Sequence, residues 1–247
     1  MTTAAMLFDL DGTLLDTLED IADAVNRALA SLGVPPHPNK AYRYFVGEGI
    51  GELARRALPE NRRGTDDIRA CLLAISREYG GGLLVKTKPY PGILELLAEL
   101  VKRRIRCAVV SNKPHELTLR SVGTLFPGFP FGAVLGERSG VPPKPDPTVA
   151  LEAASTLGVV PAQCVYVGDS GVDMKTAVAA GMYPVGALWG FREKDELVAN
   201  GAKALIKHPL DLLKLLDKKF EGMAGILGTD GDMLASLLKD KKREREN

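Results

Sequence analysis

Cysteine, histidine and tryptophan are scarce in this chain, and so is an excess of charge of either sign. Three cysteines and three histidines in 247 residues leave little material for a soft-metal site. Cys71, Cys107 and Cys164 are far apart, form no CxxC and sit in apolar surroundings. That excludes a disulfide framework or a zinc cluster and predicts buried, reduced thiols. His37, His115 and His208 are scattered, so no catalytic histidine is expected. With 32 basic and 31 acidic residues the formal net charge is +1. A nucleic-acid binder needs a basic face that this balance does not suggest, so no nucleic-acid partner is expected. No apolar run approaches the ~18 residues of a membrane helix, and no membrane partner is expected. Met1–Asp9 has no basic region ahead of its apolar run, which predicts no secretory signal and a cytoplasmic protein.

What is present is an ordinary globular composition, 45% hydrophobic, in a length that fits one large domain or two smaller ones. Ala4–Phe8 is a short apolar run that ends abruptly in Asp9-Leu10-Asp11-Gly12-Thr13, the pattern of a buried strand leading into a polar loop. From Thr17 the period changes. Leu18, Ile21, Ala22, Val25, Leu29 and Leu32 recur at three and four and stop at Gly33-Val34-Pro35-Pro36, which predicts a helix. Asp16 with Glu19, or Thr17 with Asp20, has the spacing of a capping box. Leu53, Ala57 and Leu58 suggest a short helix, and Ile68, Leu72, Ile75 and Tyr79 another.

After Pro89-Tyr90-Pro91-Gly92 helices and strands alternate. Helix 93–102 precedes strand 106–110, helix 114–125 a strand near 131–135, helix 147–157 strand 164–167, and helix 173–180 strand 183–188. A weaker pair at 195–200 and 204–206 and a helix over 209–216 follow. The strands are continuous apolar runs, as parallel strands covered on both faces must be. The predicted fold is α/β: a Rossmann-like, doubly wound parallel sheet with an inserted all-helical cap. The core takes residues 1–16 and 86–216, the cap 17–85, and a tail, possibly helical, 217–247.

In an open α/β sheet, ligands bind beyond the carboxyl ends of the strands. Those ends carry Asp9 and Asp11, Ser111 and Asn112, Lys144, and Asp169 with Asp173. Loop polarity explains any one of these groups but poorly explains all of them on one edge. Asp9 and Asp11, two apart in an extended segment, project to one side. Close carboxylates that stay ionised need a cation beside them. With Asp169 they form an oxygen-only set suited to Mg²⁺. A carboxylate there can attack phosphorus, Lys144 and Ser111 can hold phosphoryl oxygens, and Asp11 can move a proton.

The segments Phe8-Asp9-Leu10-Asp11-Gly12-Thr13-Leu14, Val109-Val110-Ser111-Asn112, Lys144-Pro145-Asp146-Pro147 and Gly168-Asp169-Ser170-Gly171-Val172-Asp173 resemble, in order, the motifs of the haloacid dehalogenase-like hydrolases. The resemblance spans about residues 4–215. It implies Asp9 as nucleophile and Asp11 as general acid and base. It implies a phosphoryl site of Ser111, Lys144 and nearby Asn112, and Mg²⁺ on Asp9, the Asp11 carbonyl and Asp169. Asp173 is implied outside the metal's ligands and Thr13 as support for the nucleophile loop. Within the superfamily, Asp16–Ile21, Ala24–Leu29 and Phe45–Ile50 with Arg55–Leu58 are similar to phosphoglycolate phosphatases. Mg²⁺-dependent hydrolysis of a small phosphorylated metabolite, 2-phosphoglycolate first, is therefore expected, by a monomer or homodimer. Alternatives are a pyrophosphatase, a sugar-phosphate phosphatase or a phosphoglucomutase of the superfamily, or a non-catalytic partner-binding module. A phosphonate hydrolase would need a cap lysine, and the insert has only Lys40, beside a turn.

The insert holds eight arginines and one lysine against nine acids, so it has no net field. Arg43, Arg55 and Arg56 are candidates to read a substrate carboxylate bidentately; against each stands a solvated-face role. Gly47-Glu48-Gly49-Ile50-Gly51 lacks the Lys-Ser/Thr of a nucleotide loop and is expected to lie over the substrate. Asp146, between prolines, fits a helix cap, and Trp189-Gly190-Phe191 is a candidate for the rim.

Overall fold

The computed structural model describes residues 3–82 and 84–224. The chain forms β1 (Ala5–Phe8), β2 (Leu15–Asp16), α1 (Leu18–Ser31), α2 (Asn39–Phe45), α3 (Gly49–Ala57), α4 (Thr65–Gly82), β3 (Lys88–Pro89) and α5 (Ile93–Lys102). It continues through β4 (Arg106–Pro114), α6 (His115–Leu125), β5 (Phe131–Glu137), α7 (Thr148–Thr156), β6 (Cys164–Gly168), α8 (Gly171–Ala179), β7 (Tyr183–Ala187), α9 (Lys194–Ala199), β8 (Ala204–Ile206) and α10 (Asp211–Ala224).

Six strands make one parallel sheet in the order β5-β4-β1-β6-β7-β8. Side chains alternate across it. Met6, Phe8, Val109, Val165 and Val167 face a core closed by Ile93, Leu96 and Leu100 of α5 and Leu212 and Leu216 of α10. Ala5, Leu7, Ala108, Val110, Cys164 and Tyr166 face the other core, closed by Val149, Ala150 and Ala153 of α7 and Ala177 of α8. Both faces are covered, which is why these strands are apolar at every position. The chain winds outward one way from β1 to β4 and β5, and the other way from β6 to β8. Order reverses between β1 and β6, and a crevice for ligands opens at the carboxyl ends of such a pair.

The helices α1 to α4 pack on a separate apolar cluster that includes Ile21, Val25, Leu29, Tyr42, Leu53 and Ile75. Two strand pairings, Leu15 with Pro89 and Asp16 with Lys88, form an antiparallel ribbon where the chain leaves and re-enters the sheet-bearing part. No capping box opens α1: the Thr17 hydroxyl makes no cap bond. Asp20 instead accepts from the Lys86 and Thr87 amides and the Thr87 hydroxyl. It ties the first turn of α1 to the returning strand. α10 extends beyond residue 216, so the expected tail boundary falls inside a helix; residues 225–247 lie outside the described residues. Cys71, Cys107 and Cys164 are buried free thiols. Among the described residues no helix is long and apolar enough to cross a membrane.

Candidate active site

Asp9 follows β1 and Asp169 follows β6, the two strands at the reversal point. Gly12 makes their approach possible. Its φ is +91°, and a Cβ there would lie 2.4 Å from Asp169 Oδ2. Only glycine meets both demands. Asp173 opens α8 in a capping box: its Oδ2 accepts from the Ser170 amide and hydroxyl, at 3.1 and 2.6 Å, and the Ser170 hydroxyl accepts from the Asp173 amide. The other oxygen of Asp173 takes Lys144 Nζ at 2.7 Å, and the same ammonium reaches Asp9 Oδ1 at 2.8 Å and the Val110 carbonyl at 3.1 Å. Asp173 thus caps a helix and positions Lys144 at once.

Asp169 is held from both sides, by the Thr13 hydroxyl at 3.0 Å and the Phe191 amide at 2.7 Å. The Thr13 hydroxyl, in the loop after Asp9, thus ties that loop to Asp169. The segment Trp189-Gly190-Phe191 is part of the site: Trp189 Nε1 donates to the Thr13 carbonyl, and a Cβ on Gly190 would sit 2.2 Å from Asp169 Cβ.

Asp9, Asp169 and Asp173 each bring a carboxylate oxygen within 4.8 Å of the others, the one such group among the described residues. Burial pushes the Asp9 carboxyl well above its usual range; Lys144 opposes this, while Asp173 and Asp169 add to it. Burial, then repulsion from Asp173, raises Asp169 to about 7. Burial acts to lower the Lys144 ammonium, but Asp173 and Asp9 hold it well above its ordinary value. One buried ammonium does not balance three buried carboxylates. An all-oxygen set short of positive charge fits a hard divalent cation. Within it, Asp9 and Asp169 belong to the expected ligand set. The Asp11 carboxylate is not in the group. It faces Lys113, whose Nζ lies 2.9 and 3.2 Å from its oxygens.

Beyond this floor is a cavity of about 50 Å³ open to the centre of a water molecule, lined by Asp9, Asp11, Ser111 and Lys113 below and Val46, Gly47, Ile50 and Tyr79 above. The loop 46–50 therefore does lie over the site. Three contacts clamp it: Asn112 Nδ2 donates to the Gly47 carbonyl at 3.1 Å, Arg192 to the Val46 carbonyl at 2.8 Å, and Glu137 accepts from the Ile50 amide. Asn112 also binds the Lys144 amide and carbonyl. Its side chain thus joins the cap loop to the Lys144 loop at the edge of the cavity it lines. Asp146 accepts from the Thr148 amide and hydroxyl, at the start of α7.

The structure brings none of the three candidate arginines to the cavity. Arg43 donates to the Gly190 and Phe191 carbonyls at 2.9 and 3.0 Å. Arg55 and Arg56 are taken by Glu52, at 2.6 to 2.8 Å, and Arg56 also by Glu48. Those pairs hold the Glu52 carboxyl down at about 2. Their guanidinium groups are engaged by Glu52 and Glu48, and none of the three arginines expected to read the substrate lines the cavity. Lys40 is exposed. Lys113 went unnoticed in the sequence, although it directly follows Ser111-Asn112.

A sequence profile of the haloacid dehalogenase-like hydrolases matches residues 6–187. The chain belongs to that family. A phosphoglycolate phosphatase of Pseudomonas putida is 34% identical over 211 residues, 81% of this chain and 78% of that protein. A phosphoglycolate phosphatase of Neisseria meningitidis is 37% identical over 201 residues, 80% and 86% of the two chains. A crystal structure from Lactobacillus delbrueckii subsp. bulgaricus overlays with a TM-score of 0.82 at 31% identity, covering 87% of this chain and 99% of that one. This haloacid dehalogenase-like hydrolase is a phosphatase, and the idea of a non-catalytic binding module falls.

Proposed function

We propose that this hydrolase cleaves small phosphomonoesters through an aspartyl-phosphate on Asp9, with Mg²⁺ as cofactor and 2-phosphoglycolate as substrate. The observation that carries the chemistry is the state of Asp9. Lys144 fixes its Oδ1 at 2.8 Å, no donor among the described residues reaches its Oδ2, and the residue lines the cavity. A carboxylate oriented by one oxygen and free at the other is a nucleophile. Oδ2 bonds to phosphorus as the ester P–O bond breaks, and Asp11 gives its proton to the leaving oxygen. Asp11 then takes a proton from water as that water attacks phosphorus, and the bond to Asp9 breaks to release phosphate. The Ser111 hydroxyl lines the same cavity and donates to a phosphoryl oxygen. Mg²⁺, held by Asp9, the Asp11 carbonyl and Asp169, supplies charge neutralisation.

The substrate is proposed from the relatives, which are named phosphoglycolate phosphatases. Turnover with Mg²⁺ should be greater on 2-phosphoglycolate than on pyrophosphate or a hexose phosphate; preference for either of the latter would select that superfamily alternative. Asp9→Asn should remain folded by circular dichroism and lose turnover by about 10⁴-fold or more. A folded Asp9→Asn enzyme with near-normal rates would end this mechanism.

A further inference from the structure

With Arg43, Arg55 and Arg56 engaged elsewhere, the cavity retains one cation among its lining residues, Lys113. It is 8% exposed and its one anionic partner is Asp11. The remaining wall is largely apolar, with Ile21, Val46, Ile50, Leu53 and Leu117. Tyr79 interrupts it. This tyrosine is 5% exposed and lines the cavity, and its hydroxyl has no hydrogen-bond partner among the described residues. An ammonium paired only with Asp11 and an unbonded hydroxyl therefore face the cavity.

The ion pair also fixes which groups are adjacent. In 2-phosphoglycolate the carboxylate is bonded to the carbon that bears the ester oxygen. The group that protonates that oxygen and the cation that binds that carboxylate must therefore be neighbours. Asp11 and Lys113, 2.9 Å apart, are such neighbours.

We infer that Lys113, beside Asp11 and assisted by the Tyr79 hydroxyl, is the subsite for a carboxylate on the leaving group. The inference rests on the phosphoglycolate assignment and gives it a specificity-determining residue. It also predicts the substrate class: phosphomonoesters with an anion one carbon from the ester carbon, over neutral-ended esters of the same length.

The test compares 2-phosphoglycolate with ethyl phosphate, which has the same two carbons and no carboxylate. Wild-type enzyme, Lys113→Met and Tyr79→Phe are assayed with Mg²⁺ after folding is verified by thermal melting. Lys113→Met should lower kcat/KM on 2-phosphoglycolate by about 10- to 100-fold more than on ethyl phosphate, mostly through KM. Glycolate should inhibit the wild type and lose that effect in the variant. Tyr79→Phe, which keeps the ring, should lower the same preference by about 3-fold or more; Lys113→Gln, which keeps a polar end beside Asp11, replaces Lys113→Met if that variant does not fold and should show the same selective loss. Equal losses on both esters would reduce Lys113 to a holder of Asp11 and overturn the inference. An unchanged preference in Tyr79→Phe would overturn the part given to that hydroxyl. A wild-type enzyme with no preference for 2-phosphoglycolate would instead overturn the substrate assignment on which the inference stands.

Discussion

Lys144 is the residue on which the catalytic floor depends. The residue is 4% exposed, its ammonium bridges Asp9 and Asp173, and Asn112 pins its backbone from both sides. Replacing it by Met leaves Asp9 and Asp173 facing each other with no cation between them. The expected cost is about 3–5 kcal/mol of stability with loss of turnover, measured by denaturant unfolding and by assay. Most of this floor was legible in the sequence because Asp9 and Asp169 directly follow β1 and β6, Ser111 lies in the last part of β4 and Lys144 in the loop after β5, and a parallel sheet gathers strand ends on one edge. Lys113 was not legible. The apolar run ends at Val110, yet β4 continues to Pro114, so Lys113 remains in extended backbone beside the site instead of leaving into solvent. Asn112 lines the cavity where the sequence puts it, and its bonds to the Lys144 backbone and the Gly47 carbonyl could not be read from spacing. Spacing shows where a side chain begins, not which backbone groups it meets.

At the scale of the element, loops carry the site and tight packing positions them. The turn 189–191 presses on Asp169 through Gly190, where a Cβ would also meet the Gly12 carbonyl at 2.4 Å. Gly190→Ala must push Asp169 or the Gly12 turn aside. Its Mg²⁺ affinity, measured by titration calorimetry, should fall by about 10- to 100-fold; unchanged affinity would show that Asp169 does not hold the metal. The regular elements were predictable where a buried face or a continuous apolar run gives a period, as in α5 and β8, both found at the expected residues. α2 has one buried side chain, Tyr42, in seven residues, too little for a detectable face. The β2–β3 ribbon pairs two residues with two and has no period at all. The Thr17–Asp20 spacing failed as a capping box because Asp20 found three donors at residues 86 and 87, and long-range partners are invisible to local spacing.

For the whole molecule, a net charge of +1 conceals a buried negative centre. Burial raises Asp9 well above, and Asp169 to about 7 from, the ordinary carboxyl value. The folded metal-free chain then holds protons that the unfolded chain has already released. Its stability should fall as pH rises from about 4 towards 7. Mg²⁺ competes with those protons, so its stabilisation should grow over the same range. At 100 times its dissociation constant it should add about 2.7 kcal/mol, or about 5–10 °C in Tm for a chain of this size, at pH 8. The shift should shrink clearly at pH 5. A Tm that ignores Mg²⁺ at pH 8 would show that the carboxylates are not its site.

The central claim is that phosphorus passes through Asp9. Rapid acid quench of the enzyme during turnover of ³²P-labelled 2-phosphoglycolate tests it most directly. Label should appear on the protein within the first turnover, survive acid, be released by hydroxylamine as an acyl phosphate is, and map to the peptide containing Asp9. It should be absent from Asp9→Asn. Product formation in the first turnover with no labelled protein, or label that persists in Asp9→Asn, would contradict the account.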